Sequence, residues 1–412
     1  MKILALGGFG ETGFAIALRE PLAKLYNSGE HDVLFLGLGY HGNYKEKDET
    51  AYPFPMATIG GRDNGEDCLH RVGELFRPDI IWSCFDLPWM QYITEPENPF
   101  FKLLPDAQRY LGHRTRNFLH LAYFPVDGLC HGGRLPRGYE DIIRKMDVPV
   151  TFSRYTKEAV DRQLGIDVPM IYHGINTEKY FPMDTASAKE KLGLTPGTFI
   201  VGMVGVNRER KLFEDLIPAF ARFCQDKPEA RLILFTVPNV IPLPGSHDLV
   251  DLMRQYEVLD RYIDTSRIFR CRDDVMNMVY NAIDVGVLCT QGEGFGLPIT
   301  HHHAVAKPIL VTDCTSCTEL TAHEVERLKV RASFIAAGNN TVRYLTDIDD
   351  LAAKLELLYH DRSLLEEIGR LGLKRVQEEF DYDRAIMPQW RELLGRLQEE
   401  RLPAVKARGQ AS

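Results

Sequence analysis

Two doubly wound parallel α/β domains are what this sequence predicts, on three observations. Its 412 residues exceed what one ordinary core accommodates. Short apolar runs bounded by Gly, Pro and Asp alternate with amphipathic stretches along nearly the whole chain. Such runs suit strands buried on both faces by crossover helices. A change of composition at "HGINTEKYFPMDTASAKEKLGLTPG" (173–197) separates two such series and reads as a linker. The expected division is 1–175, 176–380, and a closing helix with its tail at 381–412.

In the first domain the strands read as "KILAL", "DVLFLGL", "PDIIWS", "NFLHLAYF", "PVTFS" and "MIYHG". In the second they are "FIVGMVG", "ARLILFTV", "RIFRC", "DVGVLC" and "KPILVTD". Each is a short apolar segment between turn formers, as a buried strand requires. Helical stretches such as "LFEDLIPAFARFCQ" and "DDVMNMVYNAID" fall between them. Alternation of this kind places a ligand crevice at the carboxyl ends of each set of strands. The closing "FDYDRAIMPQWRELLGRLQEE" reads as an amphipathic helix and "PAVKARGQAS" as a frayed tail.

Composition limits the partners. With 44% apolar and 26% charged residues, and no apolar run of bilayer-spanning length, the chain reads as a globular protein in water. The start "MKILALGGFGETG" breaks into glycines too early for a signal peptide. Eight scattered cysteines suggest reduced thiols and a cytoplasmic location. A net charge of −9 argues against a broad nucleic-acid-binding face, which makes a nucleic-acid acceptor the least favoured partner.

The run Gly7-Gly8-Phe9-Gly10-Glu11-Thr12-Gly13 follows a strand and opens a helix, and it satisfies G-x-G-x-x-G. A dinucleotide site would also need an acid at the end of the second strand, where the sequence has "LFLGLGYHG". An NAD-dependent sugar-nucleotide epimerase of the short-chain type would need Tyr-x-x-x-Lys, and none of the 17 tyrosines has it. The glycines read better as a place where a substrate approaches the first strand closely, through Gly8, Gly10 and Thr12.

A series of motifs then carries a family resemblance in order. They are "FRPDIIWSCFD" (76–86), "TFSRYTKE" (151–158), "YHGINTEKYFP" (172–182), "VGVNRERKLFEDLIPAF" (204–220), "VYNAIDVGVLCTQGEGFGLP" (279–298), "KPILVTDCTSCTEL" (307–320) and "FDYDRAIMPQWRELL" (380–394). Together they resemble the retaining glycosyltransferases of GT-B fold, family 4-like. The resemblance implies two Rossmann-like domains facing across a cleft, with the C-terminal helix crossing back to the first. It also implies transfer of a sugar from a nucleotide-diphosphate donor to a hydroxyl acceptor, with no cofactor and no metal.

The residue types suit that chemistry. The leaving diphosphate gains charge as the glycosidic bond breaks, and fixed cations with backbone amides stabilise it. "NRERK" offers Arg208, Arg210 and Lys211 at a strand end, and the turn Gly294-Phe295-Gly296-Leu297 offers amides at a helix start. The resemblance maps the family's phosphate pair onto Lys211 and Arg208, although the usual arginine column holds Val206 here. Glu293 matches the first acid of the family's Glu-x7-Glu motif, which accepts hydroxyls of the transferred sugar. The second acid falls at position 301, where this chain has His301. That departure leaves open a catalytically impaired protein that binds nucleotide sugars.

His301, His302 and His303, near Cys314 and Cys317, invite a metal reading. Consecutive helical residues point about 100° apart, and no H-x-x-x-H spacing occurs there. His302 and His303 therefore read as packing and surface at a helix start, with no metal site expected. On the acceptor side the resemblance points to Asp86 after a strand, to Asp127 in "YFPVDG", and to His173 in the interdomain motif. For Asp127 the alternative is a turn former before Gly128; for His173 it is an internally satisfied histidine. Base recognition is expected near "FRCRDD" (269–274).

Overall fold

The computed structural model describes residues 1–42, 49–58, 65–66, 68–238, 245–265 and 273–411. The chain divides into two units. Unit 1 comprises Met1–Val126, Gly133–His173 and Ile386–Ser412, and unit 2 comprises Asp127–Gly132 and Gly174–Ala385.

Unit 1 is built on β1 (Lys2–Gly8), β2 (Asp32–Leu38), β3 (Met56–Thr58), β4 (Ile80–Cys84), β5 (Leu119–Phe124) and β6 (Val148–Thr151). They form one parallel sheet in the order β3-β2-β1-β4-β5-β6. The order reverses between β1 and β4, so the loops leaving those two strands flank the unit's crevice. Every residue of β4 and β5 is buried, as continuous apolar runs demand. Trp82 of β4 meets Trp390 of the helix Met387–Arg396 at 4.3 Å between rings, and Tyr123 meets the same indole edge-on at 5.0 Å. Removing an aromatic side chain from such a site costs about 3–5 kcal/mol. Trp390→Ala should therefore lower the denaturant midpoint of unit 1 markedly; an unchanged midpoint would show that this helix does not hold the unit.

Unit 2 repeats the architecture with β7 (Phe199–Val204), β8 (Ala230–Phe235), β9 (Tyr262–Ile263), β10 (Val285–Leu288), β11 (Ile309–Thr312) and β12 (Arg327–Leu328). The order β12-β11-β10-β7-β8-β9 is again parallel throughout. Ile200, Ile233, Val279 and Ile283 form a fully buried cluster beneath it. An antiparallel hairpin, β13 (Val330–Ile335) and β14 (Val342–Thr346), stands outside the sheet.

Several expectations change. "MIYHG" makes a single bridge, Thr151 to Met170, not a strand; Pro169 beside it has no N–H for a ladder. The segment read as a linker is fastened into unit 2: the Phe181 and Met183 amides donate to Asn277 and Asn281 at 3.1 and 2.7 Å. Asp184 caps a helix at Thr185–Lys191, and Lys189 reaches Asp284 at 2.7 Å. The tail read as frayed is helical over Leu402–Ala411, with Leu402 and Val405 buried and Lys406 paired to Asp79. Their i, i+3 spacing explains it, since both face the core. "RIFRC" and most of "FRCRDD" lie outside the described residues.

Candidate functional site

In unit 2 the sheet order reverses between β7 and β10, and the loops leaving these two strands are laced together there. After β7, Asn207 pins its loop by donating to the His247 carbonyl at 2.7 Å and accepting the His247 amide at 3.2 Å. One 3-10 turn, Glu209–Lys211, then ends at Leu212 in a left-handed conformation (φ 42°). After β10, the Gln291 amide donates to the Arg210 carbonyl at 2.8 Å.

Glu293 is where the two loops converge. Its carboxylate takes Lys211 Nζ at 2.5 Å, Arg210 Nη1 at 2.8 Å and Thr290 Oγ1 at 2.8 Å. Its amide donates to Thr315 Oγ1 at 2.9 Å, and Ser316 Oγ donates to the Glu293 and Phe295 carbonyls at 2.8 and 2.9 Å. Two glycines permit the turn. Gly292 has φ 154°, and a Cβ there would stand 2.5 Å from the Asp127 carbonyl oxygen. Gly296, at φ 111°, precedes the helix Leu297–Ala304 in a conformation that disfavours any side chain. Gly294 and Gly296 thus stand at the start of a helix whose N-terminal amides favour an anion.

The electrostatics follow from this packing. Burial alone would raise the Glu293 carboxyl, but the Arg210 guanidinium and the Lys211 ammonium hold it down at about 2. Burial pulls Lys211 below the usual ammonium range against the attraction of Glu293. The Glu293 carboxylate is thus ionised at neutral pH.

The structure brings together some of the sequence-derived residues and separates others. Lys211, Arg210 and Glu293 form one cluster, whereas Arg208 is exposed at the start of the 3-10 turn. The Phe295 ring is buried against Phe380, and its carbonyl is taken by Ser316. His301 Nδ1 donates to the Leu297 carbonyl at 2.7 Å, and its ring stacks on Tyr280 at 5.2 Å and meets Tyr180 edge-on. His302 and His303 are fully buried, so no part of the triplet is surface. His302 fills the space over Gly286 of β10, and burial drives its pKa well below the usual value. His303 Nε2 donates to Glu326 at 2.8 Å, a carboxylate that also accepts the Ile309, Ala322 and His323 amides. Among the described residues, no group of three or more His, Cys, Asp or Glu is placed to hold a metal ion.

Asp127 belongs to unit 2. Its carbonyl and carboxylate accept Arg343 Nη1 and Nη2 at 3.0 and 3.1 Å, and the Leu129 carbonyl accepts the Val342 amide at 2.8 Å. Arg343, on β14, is a site residue that sequence reasoning missed. So are Thr290, Thr315 and Ser316, whose only sequence signal is their place at strand ends. In unit 1, Gly8 ends β1, and Gly10 (φ 105°) is held by Tyr52 and Arg19. Thr12 caps the next helix by accepting the Ala15 amide, and Asp86 is exposed before the helix Leu87–Thr94. His173 is buried, donates from Nδ1 to the Tyr123 hydroxyl at 2.9 Å, and packs on Phe152 at 4.0 Å. Burial pushes its imidazole down to about 3, so it stays neutral and orders the end of unit 1.

Comparison with known proteins finds likenesses for this part of the chain and for the fold. Residues 184–375, which contain the whole Arg210–Lys211–Glu293 cluster, match the family described as "Glycosyl transferases group 1". That segment is thus similar to the glycosyl transferases group 1 over a little less than half of the chain. Among curated proteins, the lipopolysaccharide core biosynthesis mannosyltransferase LpsB of Rhizobium meliloti is 24% identical over 243 residues, 58% of this chain and 63% of that protein. The chain spans less than two thirds of the length of the first curated relatives it matches. Among solved structures, sucrose-phosphate synthase from Thermosynechococcus elongatus superposes with a TM-score of 0.74 at 16% identity, over 97% of this chain and 99% of that one. Anabaena HepE, solved in complex with UDP and glucose, gives 0.68 at 18% identity over 96% and 99%. The fold is GT-B.

Proposed function

We propose that this protein is a glycosyltransferase that moves a sugar, with retention, from a nucleotide-diphosphate donor to a hydroxyl acceptor. The observation that carries the proposal is the Arg210–Lys211–Glu293 cluster beside the Gly294–Gly296 turn, at the switch point of the β7/β10 sheet. Cations and helix-start amides suit a diphosphate, and a carboxylate suits sugar hydroxyls. Lys211 and Arg210 would bind the leaving phosphates, and Glu293 the transferred sugar. The reaction calls for no protein base, because the leaving phosphate can accept the acceptor's proton during front-face attack. In this reading the protein works in the cytoplasm with no cofactor and no metal, on a small-molecule or glycan acceptor; among the described residues no helix is long and apolar enough to cross a membrane.

Thermal-shift and calorimetric titration with UDP-, GDP- and ADP-sugars tests this, followed by assay of transfer and hydrolysis. HepE was solved with UDP and glucose, so UDP-glucose is the first donor to try. A bound donor stabilises by mass action. No stabilisation by any donor would refute the reading.

A second reading, a nucleotide-sugar-binding protein without transfer, has one observation in its favour. His301 stands where the family's second acid is expected, and its Nδ1 proton is already committed to Leu297. Its ring can offer a ribose one acceptor where a carboxylate offers several. His301→Glu should leave the affinity for UDP or GDP unchanged if the position is only packed. A clear gain would show that it reaches the ribose. Binding without turnover in the wild type would favour this second reading.

A further inference from the structure

We propose that Glu293 is a built-in competitor for the diphosphate site, which makes the protein discriminate against nucleotides lacking a sugar. The inference rests on the donor-site reading given above and concerns the ion pairs that a ligand would have to exchange there.

The two candidate phosphate cations are both engaged by one carboxylate, Lys211 at 2.5 Å and Arg210 at 2.8 Å. Lys211 and Glu293 are nearly buried, at 11% and 8% side-chain exposure, so solvent screens their attraction little. An incoming diphosphate must take these cations from Glu293. The carboxylate then keeps only Thr290 as a side-chain donor among the described residues, and a buried carboxylate stripped of its partners is costly. A diphosphate that carries a sugar returns hydroxyl donors to Glu293 in exchange. A diphosphate without one returns nothing and adds like charge beside it.

The same exchange runs in reverse after transfer. Once the sugar has left, Glu293 loses its hydroxyl partners while the nucleoside diphosphate still occupies the cations. Re-forming the pairs with Lys211 and Arg210 then favours release of the spent nucleotide. Glu293 therefore acts as a specificity-determining residue for the loaded donor, in addition to holding its sugar.

The test is calorimetric titration of the wild-type chain and Glu293→Gln with inorganic pyrophosphate, UDP and GDP, beside UDP-glucose and GDP-mannose. Removing the competing charge should tighten pyrophosphate and the sugar-free nucleotide by roughly tenfold, given the size of a short-range charge interaction near a protein surface. The preference for the matching nucleotide sugar over its diphosphate should shrink by at least as much. Equal or weaker binding of pyrophosphate and nucleoside diphosphate by the variant overturns the proposal. If a nucleotide sugar is still bound and turned over by the wild type in that case, the transferase reading stands and this inference alone falls. If no nucleotide and no pyrophosphate binds either protein, both fall. Circular dichroism checks the fold of Glu293→Gln. Should it fail to fold, Glu293→Asp, whose carboxylate is withdrawn by one methylene, must show the same tightening in smaller measure.

Discussion

Lys211→Ala is expected to abolish most sugar transfer while leaving the fold intact. Lys211 Nζ stands 2.5 Å from Glu293 at the switch point, on a loop that Asn207 and the Gln291 amide hold in place without its help. A cation fixed in advance where charge develops is worth roughly 100- to 1,000-fold in kcat, by analogy with single oxyanion donors. The loss should fall on kcat more than on KM, since charge on the leaving oxygen grows only as the bond breaks. Lys211→Arg should recover little, because the guanidinium is planar and longer than the compact ammonium that meets Glu293. Near-normal turnover of Lys211→Ala would remove this residue from the mechanism.

The second large effect belongs to Glu293→Gln. Transfer should fall steeply, because an amide offers one acceptor oxygen where the carboxylate offers two to the sugar hydroxyls. An unchanged rate would refute the sugar contact. Stability should fall as well at neutral pH, since the change leaves Lys211 buried beside a neutral group. The pH dependence has a definite sign. The Glu293 carboxyl is held at about 2 in the folded chain, below its ordinary value of 4.5. The pair's contribution is therefore complete above that ordinary value and disappears as pH falls through about 2. Wild type and variant should differ most in thermal midpoint near neutrality and converge toward the acid end. A gap that persisted unchanged into acid would show that the pair is not the source of the difference.

Much of this architecture was legible before folding, for a physical reason. A parallel strand covered on both faces must be apolar throughout, so "DIIWS", "FLHLAYF", "FIVGMV" and "ARLILF" announce themselves in any sequence. What escaped notice are elements whose sequence carries no such demand. β3 and β12 are too short to show a pattern, and β13 is exposed along nearly its whole length. The β13–β14 hairpin is held by partners far away in the chain: Asp215 accepts from Arg331 and from the Thr346 amide. The Phe181–Lys191 stretch looked like a linker because it is polar and turn-rich. Its polar atoms are spent on Asn277, Asn281 and Asp284, which sequence spacing does not reveal.

The candidate site divides along the same line. Glu293, Lys211 and the glycine turn could be found from residue type and position at strand ends, because anion chemistry needs cations and close backbone there. Which cation meets the glutamate could not. A single 3-10 turn ending at Leu212 directs Arg210 and Lys211 to Glu293 and puts Arg208 in solvent. Nor could Arg343 be linked to Asp127, since only the chain's return through β14 joins them. The histidine triplet shows the same split within three residues. His301 is fastened to its own helix, His302 fills the gap over Gly286, and His303 pairs with Glu326.

The amino-acid order by itself determined the two parallel sheets and the loops on which an anion site could form, because continuous apolar runs and strand-end glycines have few other uses. Tertiary structure alone decided the pairing: Glu293 with Arg210 and Lys211, Asp127 with Arg343, and three adjacent histidines with three different partners. Pairings of this kind depend on side-chain direction and on burial, which lowers the dielectric around a charge and raises the cost of leaving it alone. Neither quantity exists until distant segments meet.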